Sequence, residues 1–408
     1  MSRTNWGGNY TYRARAWHRP ASLDELRALV SRAESLRVVG SRHSFTDIGD
    51  ADELVSLDGL AGDVELGDGV ATVDAGMTYA QVASALGDAG VALHNLASLP
   101  HISVGGAIAT ATHGSGVGNG NLATAVAGLE LVLSSGDVMR VARGDADFDG
   151  IVVGLGAVGV VTRVTLDVEP AFEVRQDVFE GLSWDALLGH FDELMSAAYS
   201  VSVFSRYGDA TEQVWLKSRR RDGFDTFFDA RPAAVERHPI LALDPVSATA
   251  QRGVPGAWKD RLPHFRSEFS PSAGEEIQSE YFVARPDAVD AIRALVSVGD
   301  QIRDVLLVSE IRAVAADSLW LSPQYEQDTI GFHFTWRRDQ PAVERALAVV
   351  EDALAPFAPR VHWGKLFLRA PSYPRAGDFL ALRSRLDPRD GFRNAWLDRV
   401  LANGNGGR

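Results

Sequence analysis

Val38-Val39-Gly40-Ser41-Arg42-His43-Ser44-Phe45 carries a β-branched run into a tight Gly/Ser turn that ends on a histidine. By itself this is a buried strand running into a turn with one histidine, and a satisfied structural histidine is the default reading until the rest of the chain is weighed. Upstream, Ser22-Leu-Asp-Glu25 has the form of a capping box, and LRALVSRAESL follows at helical spacing, so a helix should lead into this strand. Downstream, short strands are expected near 54–60 and 71–76, a helix over 77–90 ending in glycine, and a strand over VALHNLA, 91–97.

A second unusual stretch follows. LPHISVGGAIATATHGSGVGNG (99–120) is built almost wholly of small residues, with Ser103, Thr110, Thr112 and Ser115 interleaved. Such a composition suits close contact with a ligand, and amides at a helix start favour phosphate. Residues 125–143 read as a hairpin. Ile151-Val-Val-Gly154-Leu-Gly156-Ala-Val-Gly159 matches G-x-G-x-x-G after an expected strand, but the continuation VVTRVTLDVEP alternates as a strand. A dinucleotide fingerprint needs a helix there, so its context test fails.

The pattern changes at Pro170. Strands are expected at VSVFSRY and QVWLKSR, followed by a Pro/His/Asp-rich connection without periodicity. Then a strand–helix–strand unit occurs twice, as EIQSEYFVA, 284–299 and VLLVSEIRAV, and as TIGFHFTW, 339–357 and RVHWGKLFL. Pro286 and Pro341 stand near the two helix starts. This predicts an α+β chain whose second part is an open sheet covered by helices on one face. The expected divisions are 1–170, 171–368 and a C-terminal segment, 369–408, packing back on the first.

Period-two alternation puts Glu310 with Arg312, and His333 with Thr335, on one face of their strands. Lys365 is expected beside Trp363 and Phe367 on a third strand. Carboxylate, guanidinium, imidazole, hydroxyl and ammonium on one half-buried face form either an internal salt-bridge network or a site for a hydroxyl-rich small molecule. The chain has 408 residues, 46% of them apolar, and a formal charge of −14 without a basic block, which argues against nucleic acid or an anionic membrane surface. Without cysteine there is no disulfide and no thiolate chemistry. His94, His101 and His113 match no metal spacing, so no metal is expected. No run reaches transmembrane length and the N-terminal stretch has no apolar signal core, so a cytoplasmic protein is expected. Lysine occurs only at 217, 259 and 365; where arginine is otherwise preferred, a retained lysine suggests a compact, adjustable charge. Lys217 is expected in solvent beside Arg219, Arg220 and Arg221.

The strand with Gly-Ser-x-His-Ser and the Ser-Val-Gly-Gly…Thr-His-Gly loop together resemble the flavin domain of the vanillyl-alcohol-oxidase-type flavoproteins. Within these, Asn5-Trp6, LHNLASLPHISVGG, ATHGSGVGNG, SEIRAVAAD, SPQY, FHFTW and HWGK resemble the alditol (xylitol) oxidases. The resemblance implies a two-subdomain FAD-binding domain followed by a substrate domain. It implies FAD linked through its 8α-methyl to His43, and wrapped by Val39, Gly40, Ser41, Arg42, Ser44, Ser103, Gly105, Gly106, Thr112, His113, Gly114 and Ser115. It implies a polyol met by Ser103, Glu310, Arg312, Thr335 and Lys365, with His333 in support, and oxidation of a terminal alcohol with dioxygen returning hydrogen peroxide. A monomer is expected. The sugar-lactone oxidases share the histidine loop and the HW-x-K element and are the nearest competitor. Arg42 departs from the small residue, often glycine, that the family has there.

Overall fold

The computed structural model describes residues 3–60, 62, 64–220, 222–269 and 275–401, so Arg221 lies outside it. The first helix, Leu23–Arg32, starts at Ser22, whose hydroxyl accepts the Glu25 amide at 3.2 Å. Glu25 reaches past the cap to the Ala21 amide (2.8 Å), so the box does not close on Ser22 itself. A full capping box does form between Thr78 and Gln81, over the helix Tyr79–Asp88. The strand Leu36–Val38, which delivers the chain into the histidine turn, pairs in parallel with Glu53–Val55.

A five-stranded antiparallel sheet follows, with the hairpin Val126–Val132/Val138–Ala142 paired to Val160–Asp167. Two expectations fail here. The strand over 91–97 shrinks to Val91–Ala92, because the Asn95 side chain takes up its neighbours' backbone groups: its Oδ1 accepts the Leu96 amide (2.9 Å) and its Nδ2 donates to the Ser115 carbonyl (3.1 Å). Residues 151–153 end a short helix, Phe148–Val152, instead of a strand. Gly156 (φ +66°) and Gly159 (φ +152°) then turn the chain into Val160–Asp167, which is paired along both edges. The glycines serve a turn.

The larger sheet has nine strands among the described residues. Its centre runs Ser200–Ser205, Leu306–Val314, Thr329–Arg337, Glu276–Ala284, Arg360–Val361. Alternation sorts the two faces. Ile330, Phe332, Phe334 and Trp336 are buried in one core with Ile292 and Leu295 of the helix Ala288–Ile302 and Val343 and Leu347 of Gln340–Leu354. Burial of each such side chain is worth about 1.5–3 kcal/mol. The opposite face carries the polar set, and the register Phe204↔Glu310, Glu310↔His333, His333↔Glu280 lines these four residues up across adjacent strands. The strand expected over 360–368 stops at Val361. His362 Nδ1 accepts the Gly364 amide (3.1 Å) and the His362 carbonyl accepts the Lys365 amide (3.0 Å), so a turn replaces the ladder and Lys365 reaches the polar face from beyond the sheet edge.

Two main-chain bonds join the small-residue stretch to the large sheet: Gly116 donates to the Ala313 carbonyl (2.9 Å) and Ala315 to the Asn119 carbonyl (2.9 Å). The C-terminal helices Ala376–Leu386 and Ala395–Leu401 return to the N-terminal region, where the Gly391 carbonyl accepts the Leu36 amide (2.8 Å). Buried Arg37 donates to the carbonyls of Ile48 (2.8 Å), Gly156 (2.9 Å) and Phe392 (2.9 Å), tying three segments together behind the histidine turn. Among the described residues, no helix is long and apolar enough to cross a membrane.

Candidate active site

Between the histidine turn, the small-residue stretch and the polar sheet face lies a cavity of about 460 Å³. On one wall the turn is drawn tight. Ser41 Oγ accepts the Ser103 amide (3.2 Å), and a Cβ on Gly40 would come within 1.9 Å of Ser103 Oγ, so only glycine fits there. Ser103 precedes the short helix Val104–Ala109 without capping it through its side chain. Arg42 adopts φ +61°, the left-handed region that glycine enters at little cost. Its carbonyl accepts the Trp6 amide (2.8 Å), and the Trp6 ring stacks on His43 with centroids 4.9 Å apart. The backbone conformation is therefore the one a glycine would take, with arginine paying its strain. Arg42→Gly is expected to unfold within about 1 kcal/mol of the parent, whereas β-branched Arg42→Val should fall about 2 kcal/mol below Arg42→Gly in urea unfolding.

Both His43 ring nitrogens are buried and have no hydrogen-bond partner among the described residues. Burial pushes this imidazole down to about 4; His101 adds to the shift and the Ser41 backbone opposes it. The ring is neutral near pH 7, with an uncommitted lone pair.

The facing wall is an ionic lattice around Glu280, whose side chain is fully buried. Its Oε2 accepts from Lys365 Nζ (2.5 Å), its Oε1 from Arg312 (2.6 Å), and His113 Nε2 lies 3.1 Å from Oε1. Lys365 Nζ also donates to His333 Nδ1 (2.8 Å), which leaves His333 Nε2–H to donate to Thr335 Oγ1 (3.1 Å). Burial, then Lys365, lowers the His333 pKa to about 4, so it stays neutral. Glu310 lies 3.6 Å from Arg312 Nε and accepts from His264 Nε2 (2.7 Å). Burial acts to protonate Glu310, but Arg312 and His264 outweigh it and hold the carboxyl well below its ordinary range. Likewise burial opposes the Arg312 charge, yet Glu310 and Glu280 raise its pKa. For Lys365 burial prevails and its pKa falls. Two carboxylates thus face two cations out of water, a lattice that depends on every member being paired.

Residues 14–142 match the FAD binding domain model, and residues 275–400 match the D-arabinono-1,4-lactone oxidase model. Alditol oxidase of a Streptomyces species is 44% identical over 98% of both chains. The chain belongs to the alditol oxidase family. As a member it is an FAD-dependent oxidoreductase of α+β fold. More distantly, L-gulono-1,4-lactone dehydrogenase of Mycobacterium tuberculosis is 28% identical over 98% of both chains. The crystal structure of cholesterol oxidase from B. sterolicum shares the fold, with a TM-score of 0.78 at 14% identity over 98% of this chain and 96% of that one.

The residues fit the cofactor of the alditol oxidase family. The cavity lined by Gly40, Gly105 and Gly106 admits a ligand against bare backbone, and the unpartnered His43 nitrogens face no competing acceptor or donor. Val39, Gly40, Ser41, Arg42, His43, Ser44, Ser103, Gly105, Gly106, Thr112 and His113 all border the cavity, as do Glu310, Arg312, His333, Thr335 and Lys365. Gly114 and Ser115 do not. A Cβ on Gly114 would meet Asn95 Oδ1 at 2.4 Å, and Ser115 Oγ donates to the Val201 carbonyl, so both serve packing behind the wall.

Sequence reasoning passed over Glu280, His264 and His362, which also border the cavity. Glu280 had a signal, since it alternates with Gln278 along EIQSEYFVA as Glu310 does with Arg312. Lys217 is corrected outright. It is fully buried, and its ammonium donates to the carbonyls of Arg261 (2.8 Å), Leu262 (2.6 Å) and Pro263 (2.8 Å). Three acceptors converging on one point suit an ammonium better than a guanidinium fork.

Proposed function

We propose that this protein oxidises the terminal primary alcohol of alditols such as xylitol and sorbitol to the aldose, with FAD tethered to His43. The observation that carries this reading is the buried Glu310–His333–Glu280 row with Arg312 and Lys365, facing the same cavity as His43. FAD supplies the two-electron acceptor of the net reaction, RCH2OH + O2 → RCHO + H2O2. The residues supply binding and charge. Glu310, held ionised, accepts hydrogen bonds from chain hydroxyls and sets which carbon is presented. Ser103 and Thr335 offer hydroxyls beside the reacting alcohol. Arg312 and Lys365 stabilise alkoxide character as the alcohol proton leaves, in a site where water does not screen them. His333 Nδ1 orients Lys365. In this reading residues 1–170 hold the flavin, 171–368 the polyol, and 369–408 support the flavin half.

Neutral, unpaired and stacked on Trp6, His43 has the nucleophilic nitrogen that a flavin link needs. His43→Ala should therefore send the yellow chromophore into the supernatant after acid precipitation, while the parent keeps it in the pellet. Colour retained in the variant's pellet would rule out this linkage.

The match of residues 275–400 to D-arabinono-1,4-lactone oxidase favours a second reading, oxidation of a sugar-1,4-lactone with the same flavin chemistry. Peroxide release with xylitol against L-gulono-1,4-lactone separates the two. Faster turnover of the lactone would replace the first reading.

A further inference from the structure

His362 stands at a joint between the walls of the cavity. Its ring is buried, 6% exposed, and borders the cavity. Nδ1 accepts the Gly364 amide (3.1 Å), so the proton of the neutral ring sits on Nε2, which donates to Thr112 Oγ1 (3.3 Å). Burial, followed by the Lys365 charge, holds the pKa well below 6.5, so the ring keeps one donor and one acceptor near neutral pH. Both are engaged, one within the turn and one on the small-residue stretch.

The main chain around the ring makes the other connections. His362 donates its amide to the Glu280 carbonyl (3.0 Å), and its own carbonyl accepts the Lys365 amide (3.0 Å). The Gly364 carbonyl accepts the Phe45 amide (2.8 Å), two residues past His43. Thr112 Oγ1 lies 3.2 Å from Thr110 Oγ1, which donates to the Gly106 carbonyl (3.0 Å). The turn 362–365 therefore touches the strand of Glu280, the histidine turn and the small-residue stretch.

Lys365 depends on that joint. The strand ends at Val361, so no ladder fixes the lysine main chain. It is held on the far side by the Leu366 amide, which donates to the Gln278 carbonyl (2.9 Å), and on the near side by the turn. Glu280 and His333 hold Nζ, but contacts at the tip of a flexible four-carbon stem do not by themselves fix where the tip lies. A misplacement of about 1 Å can lower a rate about 10²-fold. Resting on the Lys365 role proposed above, we infer that His362 is a positioning residue for the oxidation: Nδ1 closes the turn, Nε2–H braces it against Thr112, and the turn sets the point at which Lys365 meets the reacting alcohol.

The test mixes flavin-loaded enzyme anaerobically with xylitol, comparing the parent with His362→Ala, His362→Asn, Lys365→Met and the double variant joining His362→Ala to Lys365→Met. Asparagine Oδ1 takes the place of Nδ1 as acceptor for the Gly364 amide, but its side chain is too short for Thr112. His362→Ala is expected to lower the limiting rate of flavin reduction by about 10–10²-fold, with the half-saturating xylitol concentration within about threefold of the parent. His362→Asn should recover most of the loss, to within about fivefold of the parent. The double variant should match Lys365→Met within about threefold, because no ammonium is left to displace. Hydrogen exchange gives a reading independent of turnover: exchange at the Phe45 and Lys365 amides should quicken about tenfold or more in His362→Ala and stay parental in Lys365→Met. If the alanine variant does not fold, His362→Gln, whose amide reaches Thr112 but leaves the Gly364 amide without its acceptor, replaces it in the cycle. A His362→Ala rate within threefold of the parent, or losses that multiply in the double variant, overturns the inference and leaves the Lys365 role intact. A Lys365→Met enzyme reduced as fast as the parent overturns both.

Discussion

Lys365→Met is expected to slow flavin reduction by xylitol by about 10²–10³-fold, the usual loss when one preorganised charge donor is removed from a developing oxyanion. Methionine preserves the length of the side chain and removes only the ammonium, so Glu280 and His333 each lose one contact. Glu280 still has Arg312 at 2.6 Å, which keeps it paired. FAD content, read from absorbance, should match the parent. Anaerobic mixing with xylitol isolates the reduction step. A rate within threefold of the parent would make Lys365 a structural partner of Glu280 and return the alkoxide role to Arg312 alone.

Glu280→Ala should have the larger effect on stability. It leaves Arg312, Lys365 and His113 around an empty centre, and breaking a buried ion pair by removing one partner costs about 3–5 kcal/mol. Urea unfolding of the flavin-loaded protein measures this. The milder Glu280→Gln gives the pH dependence. Burial opposes the Glu280 charge, but Lys365 and Arg312 outweigh it and hold the carboxyl well below its ordinary value of 4.5. A depressed carboxylate pKa adds stability that is complete above the unfolded value and is lost as pH falls through the folded one. The gap between parent and Glu280→Gln should therefore be widest near neutrality and narrow below about pH 4.5. A gap that stays constant into acid would mean that Glu280 is not carrying the charge described.

What could be read in the sequence follows from how each element is stabilised. Glu310, Arg312, His333 and Thr335 were legible because regular strands display side chains at period two, and an apolar face with a polar reverse leaves a clear imprint. Glu280 left the same imprint one strand away, but a lone carboxylate there looks like any solvated strand residue until Lys365 and Arg312 converge on it. His264 and Lys217 were not legible. Their geometry depends on carbonyls of an irregular segment meeting a side chain more than forty residues away, and backbone acceptors have no letter in the sequence. The Lys365 strand was misread because its turn is closed by the His362 side chain, which takes the Gly364 amide that a ladder would otherwise use. Arg42 was recognised as out of place, and its positive φ supplies the reason.

The bond from the Gly116 amide to the Ala313 carbonyl has an evolutionary consequence. Ala313 directly follows Arg312, so the small-residue segment is stitched to the strand that presents Glu310 and Arg312, one residue from the guanidinium. An insertion or deletion between His113 and Gly116 would drag that strand out of register and shift both groups at once. Descendants of this scaffold that acquire new substrates are thus constrained to do so by exchanging side chains on a fixed lattice, while the seam itself keeps its length.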